Sequence, residues 1–454
     1  MLKITIDNVI YSHINKQDIA ILEECLQYKY QKHKFNPYAH KNKSSYEDKI
    51  ESLIDKDGKF FTGYIARVKK YLSGKNIPYE IENNSERLKP DNEPIIKDKT
   101  LREDQKRNVD AAIKNQRGIV ISPTGTGKTL IAGSIISCFK NKKTLFLVHT
   151  KSLLKQAADD FKEYGLKNIT MIGDAQKDLS GDIVISTRQS FVKLDFDEIA
   201  DLFDIVIVDE IHHLTEPKMQ YTEILSKLLA PIRIGLTATF PSKIESQMVI
   251  EAYLGEVVGE FTEEEAREKD IIADTKVIIR KTSFDSDVAD LSAYKRVYNL
   301  GVVNNQSYNL QIIKEAKYWI EQNKSVLIFI IETDQGRLLQ KFAKENNVEC
   351  EFVYGDTKSD SREKVKADLK TKKLKCVICS KIWAEGINIP ALEVIINAAG
   401  GKSETMLRQL RGRGVRTYKG KDRLILIDFF NPSHSSLIKH FGFRISMYCD
   451  YGWM

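Results

Sequence analysis

The spacing of apolar and polar positions changes character near residue 95. Before it, Leu2-Lys3-Ile4-Thr5-Ile6-Asp7 alternates with a period of two, the signature of a half-buried strand. A helix-like segment follows over Gln17–Tyr30, and the spacing predicts a second helix over Gly63–Ser73. Asn36-Pro37, Lys56-Asp57-Gly58 and Asn83-Asn84-Ser85 punctuate the polar sequence around them. This is the text of a small α+β region. From Leu101 onward, apolar runs alternate with amphipathic segments, as they do in layered α/β folds.

The apolar runs are continuous rather than alternating, which marks parallel strands covered on both faces. Val120, Thr144–Val148, Ile183–Ser186, Ile205–Val208 and Ile232–Leu236 form a first set of predicted core strands. The acidic stretch Glu260–Asp270 is predicted as a helix and linker that closes this unit. A second set then runs through Thr275–Ile279, Ser325–Ile331, Cys350–Tyr354, Lys375–Cys379, Val394–Asn397 and Leu424–Phe429. The expected organisation is three domains: 1–94, 95–272 and 273–454. Because each α/β domain has its own core, the two are expected to fold without residues 1–94.

Composition narrows the class without naming it. The 454 residues are 42% hydrophobic and 29% charged, ordinary values for a globular protein. The net charge of +7 is a mild bias toward a polyanionic partner. The longest apolar stretch, Val326–Ile331, suits a buried strand and falls far short of a membrane span. The first residues lack the apolar run of a signal peptide, and the six cysteines show no disulfide framework. We therefore expect a protein of a reducing cytoplasm, with no membrane role. Cys376 and Cys379 stand three apart on a predicted strand, so their thiols point to opposite faces and cannot share a metal.

Two segments carry chemistry. Ser122-Pro123-Thr124-Gly125-Thr126-Gly127-Lys128-Thr129 follows the apolar run Gly118–Ile121 and precedes Leu130–Cys138. Strand, glycine-rich turn and helix start are the setting of a phosphate-binding loop, whose backbone N–H groups and helix dipole face phosphate oxygens. In it Lys128 would reach the terminal phosphates of ATP, and the Thr129 hydroxyl would bind Mg²⁺. The second segment, Asp204–His212, is an apolar strand that ends in two acids. Ligands bind beyond the carboxyl ends of parallel strands, so Asp209 is a candidate second Mg²⁺ ligand. Glu210 is the candidate base for the attacking water. Together the two segments predict hydrolysis of a nucleoside triphosphate.

Further motifs surround these two, and with them Leu101 to the C-terminus resembles the helicases and translocases of superfamily 2. Leu101-Arg102-Glu103-Asp104-Gln105 looks like the adenine-reading Q motif, and Ser122–Thr129 like motif I. Val148–Gln156 resembles motif Ia, and Ser186–Ser190 the strand-binding motif that follows it. Asp209–His212 is similar to motif II, Gly235–Thr239 to motif III, and Ser380 with Glu385–Pro390 to motif V. Gln409-Leu410-Arg411-Gly412-Arg413-Gly414-Val415-Arg416 matches motif VI. Asn388 stands where many relatives have an acid, and Ser122 where they have alanine or glycine.

The resemblance implies two tandem RecA-like domains, each a parallel sheet flanked by helices, behind the small α+β N-terminal domain. It implies that ATP contacts Gln105, Thr124, Gly125, Thr126, Gly127, Lys128, Thr129 and Gly386. Gln409, Arg413 and Arg416 join Lys128, Asp209 and Glu210 as catalytic groups, the two arginines as fingers on the γ-phosphate. Thr150, Lys151, Thr187 and Gln189 in one domain and Ser380 in the other are the implied strand contacts.

Motif III reads Gly-Leu-Thr-Ala-Thr, which resembles the DNA-acting branch of the superfamily. Lys29–Tyr46 sets Lys32, Lys34, Lys41 and Lys43 among aromatics that include Tyr38, with no acids. Cations track phosphates while rings stack on bases. Residues 35–71 are loosely similar to the N-terminal domain of phage UvsW-type branch-migration helicases, and Leu437–His440 with Arg444 and Tyr448 to their tail. The resulting expectation is an ATP-dependent motor for branched or forked DNA. An RNA helicase, a restriction-type translocase motor and an ATP-switched clamp that unwinds nothing remain the alternatives.

Overall fold

A computed structural model describes residues 1–34, 45–173, 176–214, 219–380, 392–402, 407, 411–412, 414–415, 421 and 423–454. By its internal contacts the chain divides into two units. One comprises Met1–Ser122 and Gly127–Thr262; the other comprises Pro123–Thr126 and Glu263–Met454.

The first unit opens with strands β1 (Leu2–Ile6), β2 (Tyr11–Ile14), β3 (Gln27–Lys34), β4 (Ser45–Ser52), β5 (Lys59–Phe61) and β6 (Tyr79–Asn83). Four of them form a sheet in the order β5-β2-β1-β6, while β3 and β4 pair as a separate antiparallel ribbon. The helix expected over Gln17–Tyr30 is much shorter: helical turns cover Lys16–Leu22, and Gln27 already begins β3. Alternation from Gln27 onward, read as a helix end, belongs to the ribbon, whose pairing partner Ser45–Ser52 is remote in sequence. The helix predicted over Gly63–Ser73 is present as Ile65–Gly74, after a 3₁₀ turn at Thr62–Tyr64.

The same unit continues with β7 (Arg117–Ile121), β8 (Thr144–Val148), β9 (Ile169–Gly173), β10 (Gln176–Lys177), β11 (Ile183–Thr187), β12 (Ile205–Asp209), β13 (Ile232–Thr237) and β14 (Val257–Glu260). Their order is β10-β9-β11-β8-β12-β13-β7-β14, parallel throughout except for the β9–β10 hairpin at one edge. Strands β8, β11 and β13 are buried along their whole length, as continuous apolar runs require. Strand β9, beside the short edge strand β10, and the edge strand β14 lie outside the predicted set, because half-exposed strands lack that run.

Residues 1–94 share a core with this sheet. Leu2, Ile4, Ile14, Phe60 and Tyr64 belong to one apolar cluster with Leu145, Val206, Ile250 and Leu254. The Tyr64 hydroxyl donates to the Met248 carbonyl (2.7 Å), and Arg67 grips Glu251 through Nε (2.9 Å) and Nη2 (2.5 Å). The rings of Phe61 and Tyr253 lie 4.9 Å apart. Arg117 donates to the carbonyls of Val9 and Tyr253. Gly63 sits so close to the Glu251 and Ala252 carbonyls that no Cβ fits there. The expectation that the α/β domains fold without residues 1–94 meets this shared core: removal would strip an apolar face and leave Glu251 without Arg67.

The second unit carries β15 (Asp274–Lys281), β16 (Val326–Phe329), β17 (Glu351–Val353), β18 (Cys376–Cys379), β19 (Val394–Asn397) and β20 (Arg423–Phe430). They form one all-parallel sheet in the order β15-β20-β19-β16-β18-β17. Helices Gln306–Glu321, Thr333–Glu345, Ser359–Lys370 and Ser435–Asp450 connect or follow its strands. Each parallel sheet with its flanking helices is a RecA-like domain, and residues 1–94 supply the α+β part of the fold. Cys376 and Cys379 are fully buried core thiols. No helix among the described residues is long and apolar enough to cross a membrane.

Candidate functional site

The carboxyl edge of the first parallel sheet gathers most of the described candidate residues. β7 ends at Ile121, and Ser122 N donates to the Thr237 carbonyl (2.8 Å), fixing the loop's entry beside β13. Gly125 (φ 91°) and Gly127 (φ 96°) take left-handed conformations that side chains rarely tolerate. Between them, Thr126 Oγ1 donates to the Pro123 carbonyl (2.7 Å), which closes the turn. The helix Lys128–Ser137 starts at once, with its first N–H groups directed at the loop. Gln105 is buried, and a Cβ on Gly127 would stand 2.7 Å from its Nε2. Its Oε1 accepts from Arg102 N (3.0 Å), so the amide is held against the loop.

Lys128 Nζ lies 3.4 Å from the Ser122 carbonyl and 4.0 Å from Glu210 Oε1. Glu210 itself has φ 53°, uncommon for a residue with a side chain and a mark of strain held by its surroundings. His212 Nδ1 is 3.3 Å from Glu210 Oε2 and 3.3 Å from Thr237 Oγ1. Thr237 Oγ1 donates to the Thr239 carbonyl (2.7 Å), which fixes the turn after β13, and its contact with His212 links that turn to the end of β12. Burial pushes the Asp209 carboxyl up to about 7, with the charge of Glu210 acting in the same direction and Lys128 opposing both.

That environment fits a divalent cation. Asp209 and the half-buried Thr129 offer hard oxygen ligands, the type Mg²⁺ prefers, and a buried carboxylate short of positive charge is what such an ion stabilises.

A second cluster follows the next strands of the sheet, β8 and β11, beside β12. β8 and β11 are neighbours with Val148 opposite Thr187, so the segments that follow them leave the sheet at one level. Thr150 caps the helix Lys151–Glu163, its Oγ1 accepting from Leu153 N (3.4 Å). Thr187 caps the short helix Arg188–Phe191 in the same way, accepting from Ser190 N (3.3 Å). A cavity of about 490 Å³ opens there, lined by Thr150, Lys151, Thr187, Gln189, Lys177 and Lys193. The last two lysines belong to no motif. Their signal was spatial: β10 and the turn after Phe191 converge only in the folded chain.

Of the second unit's candidates, Ser380 lies among the described residues. Ser380 is buried after β18, with its N–H donating to the Val353 carbonyl (3.1 Å). Within the run 409–416, Arg411 is a structural residue: its Nε donates to Thr275 Oγ1 (2.7 Å), its Nη1 meets Glu263 (2.6 Å), and it lies over the Trp453 ring. Gly386, Gln409, Arg413, Arg416, Tyr38, Lys41 and Lys43 lie outside the described residues, and Lys32 and Lys34 are described only as backbone of β3. Arg444 and Tyr448, quoted for the tail resemblance, are buried against Asp428.

Comparison with known proteins gives a consistent outcome. The family described as "Type III restriction enzyme, res subunit" matches residues 98–242, and "Helicase conserved C-terminal domain" matches 308–418. A curated relative, "DNA 3'-5' translocase XPB2" of Sulfurisphaera tokodaii, is 26% identical over 404 residues, covering 79% of this chain and 87% of its own. Alignments span 87%, 52% and 82% of the lengths of three such relatives. Among solved structures, S. cerevisiae Dbp5 bound to RNA and ADP BeF3 has a TM-score of 0.58 at 16% identity, covering 78% of this chain and 88% of that one. T4 UvsW aligns over 99% of this chain and 97% of its own at 19% identity, with a TM-score of 0.46.

Proposed function

The chain belongs to superfamily 2 of the ATP-dependent helicases and translocases, and from that premise we propose that it is a DNA motor that remodels forks or four-way junctions. One observation carries the reading. The loop with Lys128 and Glu210, and the cavity with Thr150 and Thr187, share the carboxyl edge of a single sheet, so a change at one is felt by rigid strands leading to the other.

In this reading the loop N–H groups cradle the phosphates of ATP, and Lys128 exchanges its contacts with Ser122 and Glu210 for phosphate oxygens. Gln105 reads adenine with whatever donor capacity its contact with Arg102 leaves it. Glu210, backed by His212, orients water and accepts its proton. Thr129 and Asp209 would hold Mg²⁺, which would supply positive charge to offset that of the phosphates. Gln409, Arg413, Arg416 and Gly386 complete the nucleotide contacts, as their motifs imply.

Thr150, Lys151, Thr187 and Gln189, with Ser380 from the second unit, contact the sugar-phosphate backbone of one strand. Lys32, Lys34, Tyr38, Lys41 and Lys43 of the segment Lys29–Tyr46 grip the junction. DNA rather than RNA is favoured by the Gly235–Thr239 motif and by the relative named as a DNA 3'-5' translocase.

A panel of labelled substrates tests this: plain duplex, 3′- and 5′-tailed duplex, fork, four-way junction and RNA duplex, each with ATP. Preferential processing of the fork or four-way junction is expected. Preferential opening of RNA duplexes would give the RNA-helicase alternative. ATP-dependent binding without displacement would give the clamp.

A further inference from the structure

We infer that the stacked imidazoles of His149 and His213 are a positioning link through which occupation of the strand cavity sets the carboxylate of Glu210. The inference rests on the motor reading above. It starts from strand register. β8 and β12 are adjacent and parallel, with Leu147 opposite Val208, so His149 and Glu210 leave the sheet side by side. Glu210 starts the 3₁₀ turn Ile211–His213, and the turn swings His213 back over His149. The two rings lie 3.6 Å apart at an interplanar angle of 10°, a close face-to-face stack.

The contacts continue in both directions. His213 stands 4.2 Å from the ring of His212, whose Nδ1 is 3.3 Å from Glu210 Oε2. On the other side, Arg188 Nη1 donates to His149 Nδ1, and the Arg188 guanidinium lies 5.2 Å over the Tyr221 ring. Arg188 sits between Thr187 and Gln189, and His149 directly before Thr150. The path from the cavity wall to the hydrolytic carboxylate is therefore made of packed planar groups.

Its chemistry suits transmission rather than proton transfer. Accepting from a guanidinium keeps Nδ1 of His149 unprotonated, and burial holds the His213 imidazole uncharged. Two neutral rings in flat contact resist being pulled apart, so a shift of the β8 or β11 loops on strand binding moves the turn that carries Glu210. A plain spacer would fill the same volume without needing flat faces, and that difference is testable.

The experiment uses the full chain and measures ATP turnover with and without a single-stranded DNA oligonucleotide. His213→Ala is expected to leave unstimulated turnover and KM for ATP unchanged. Stimulation by the oligonucleotide should fall by about 2- to 30-fold, the range for residues along a coupling path, with oligonucleotide affinity retained. His213→Phe keeps a flat ring and should restore stimulation. Should the alanine variant be too unstable to assay, His213→Leu, which has bulk but no flat face, takes its place with the same expectation.

Full stimulation in the alanine or leucine variant overturns the inference. So does a proportional loss of stimulated and unstimulated turnover, and so does a phenylalanine variant no better than alanine. Failure of the motor reading is separate and visible first: the unaltered protein would then show no stimulation by any nucleic acid.

Discussion

Each parallel sheet carries an aspartate at or near the carboxyl end of an inner strand, and the two are treated in opposite ways. Asp428 in β20 receives Arg444 Nε (2.6 Å) and Nη2 (3.1 Å), the Tyr448 hydroxyl (2.8 Å) and its neighbour Phe429 N (2.8 Å). Arg444 in turn donates to the Gly401 carbonyl (2.6 Å). Every formal charge there has its partner. Asp209 in β12 holds Glu210 N (3.0 Å), sits beside the like charge of Glu210, and is pushed up to about 7 by burial.

A protein that spends stability at a site keeps it for a ligand. One sheet edge is closed by its own side chains, whereas the other is left short of positive charge. The fold is common to both, so charge compensation, not topology, separates the edge we assign to ATP from the one that holds a tail helix.

The sharpest way to break this comparison is to neutralise both acids. Asp209→Asn should reduce ATP turnover to background while leaving the melting temperature unchanged or higher, since it removes a poorly compensated buried charge. Asp428→Asn should do the reverse in kind. Leaving Arg444 buried and unpaired is expected to cost about 3–5 kcal/mol in denaturant unfolding. Equal stability losses at the two positions would erase the distinction.

Lys128→Ala should likewise abolish turnover, with nucleic-acid affinity retained, because its contacts are with the loop and Glu210 rather than the cavity. Wild-type turnover in this variant would remove the loop from the site.

Residues 1–94 offer a third contrast, because they look separable in sequence yet share a core with the first sheet. A chain starting near Pro94 is expected to aggregate or to lose cooperative unfolding, as judged by gel filtration and a thermal melt. A soluble, cooperatively folding truncation would show the shared core to be dispensable. Tyr64→Phe, which removes only the hydroxyl donated to Met248, should cost about 1 kcal/mol.

The smallest expected effect is at the cavity. Lys193→Gln should weaken single-stranded DNA binding modestly and flatten the log–log salt dependence by about 0.7 per lost phosphate contact. An unchanged slope would take Lys193 off the strand path.

The two parallel sheets and the candidate hydrolytic residues were legible in the amino-acid order, because both are written locally. A buried parallel strand must be a continuous apolar run, and Ile205–Val208 or Val394–Asn397 can hardly be read otherwise. A phosphate loop needs its glycines and lysine within eight consecutive positions, from Ser122 to Thr129. Whatever depends on residues distant in the chain was decided only by tertiary structure. The strand Gln27–Lys34 exists because Ser45–Ser52 pairs with it, and a window ending at Tyr30 cannot register that partner. Nothing near Arg444 and Tyr448 in the chain marks their partner, and folding alone brings Asp428 against them. Lys177 and Lys193 line a common cavity, and His149 meets His213, only because β8, β9, β11 and β12 lie together in the sheet. Such contacts join residues well separated in the chain, where no local pattern carries the information.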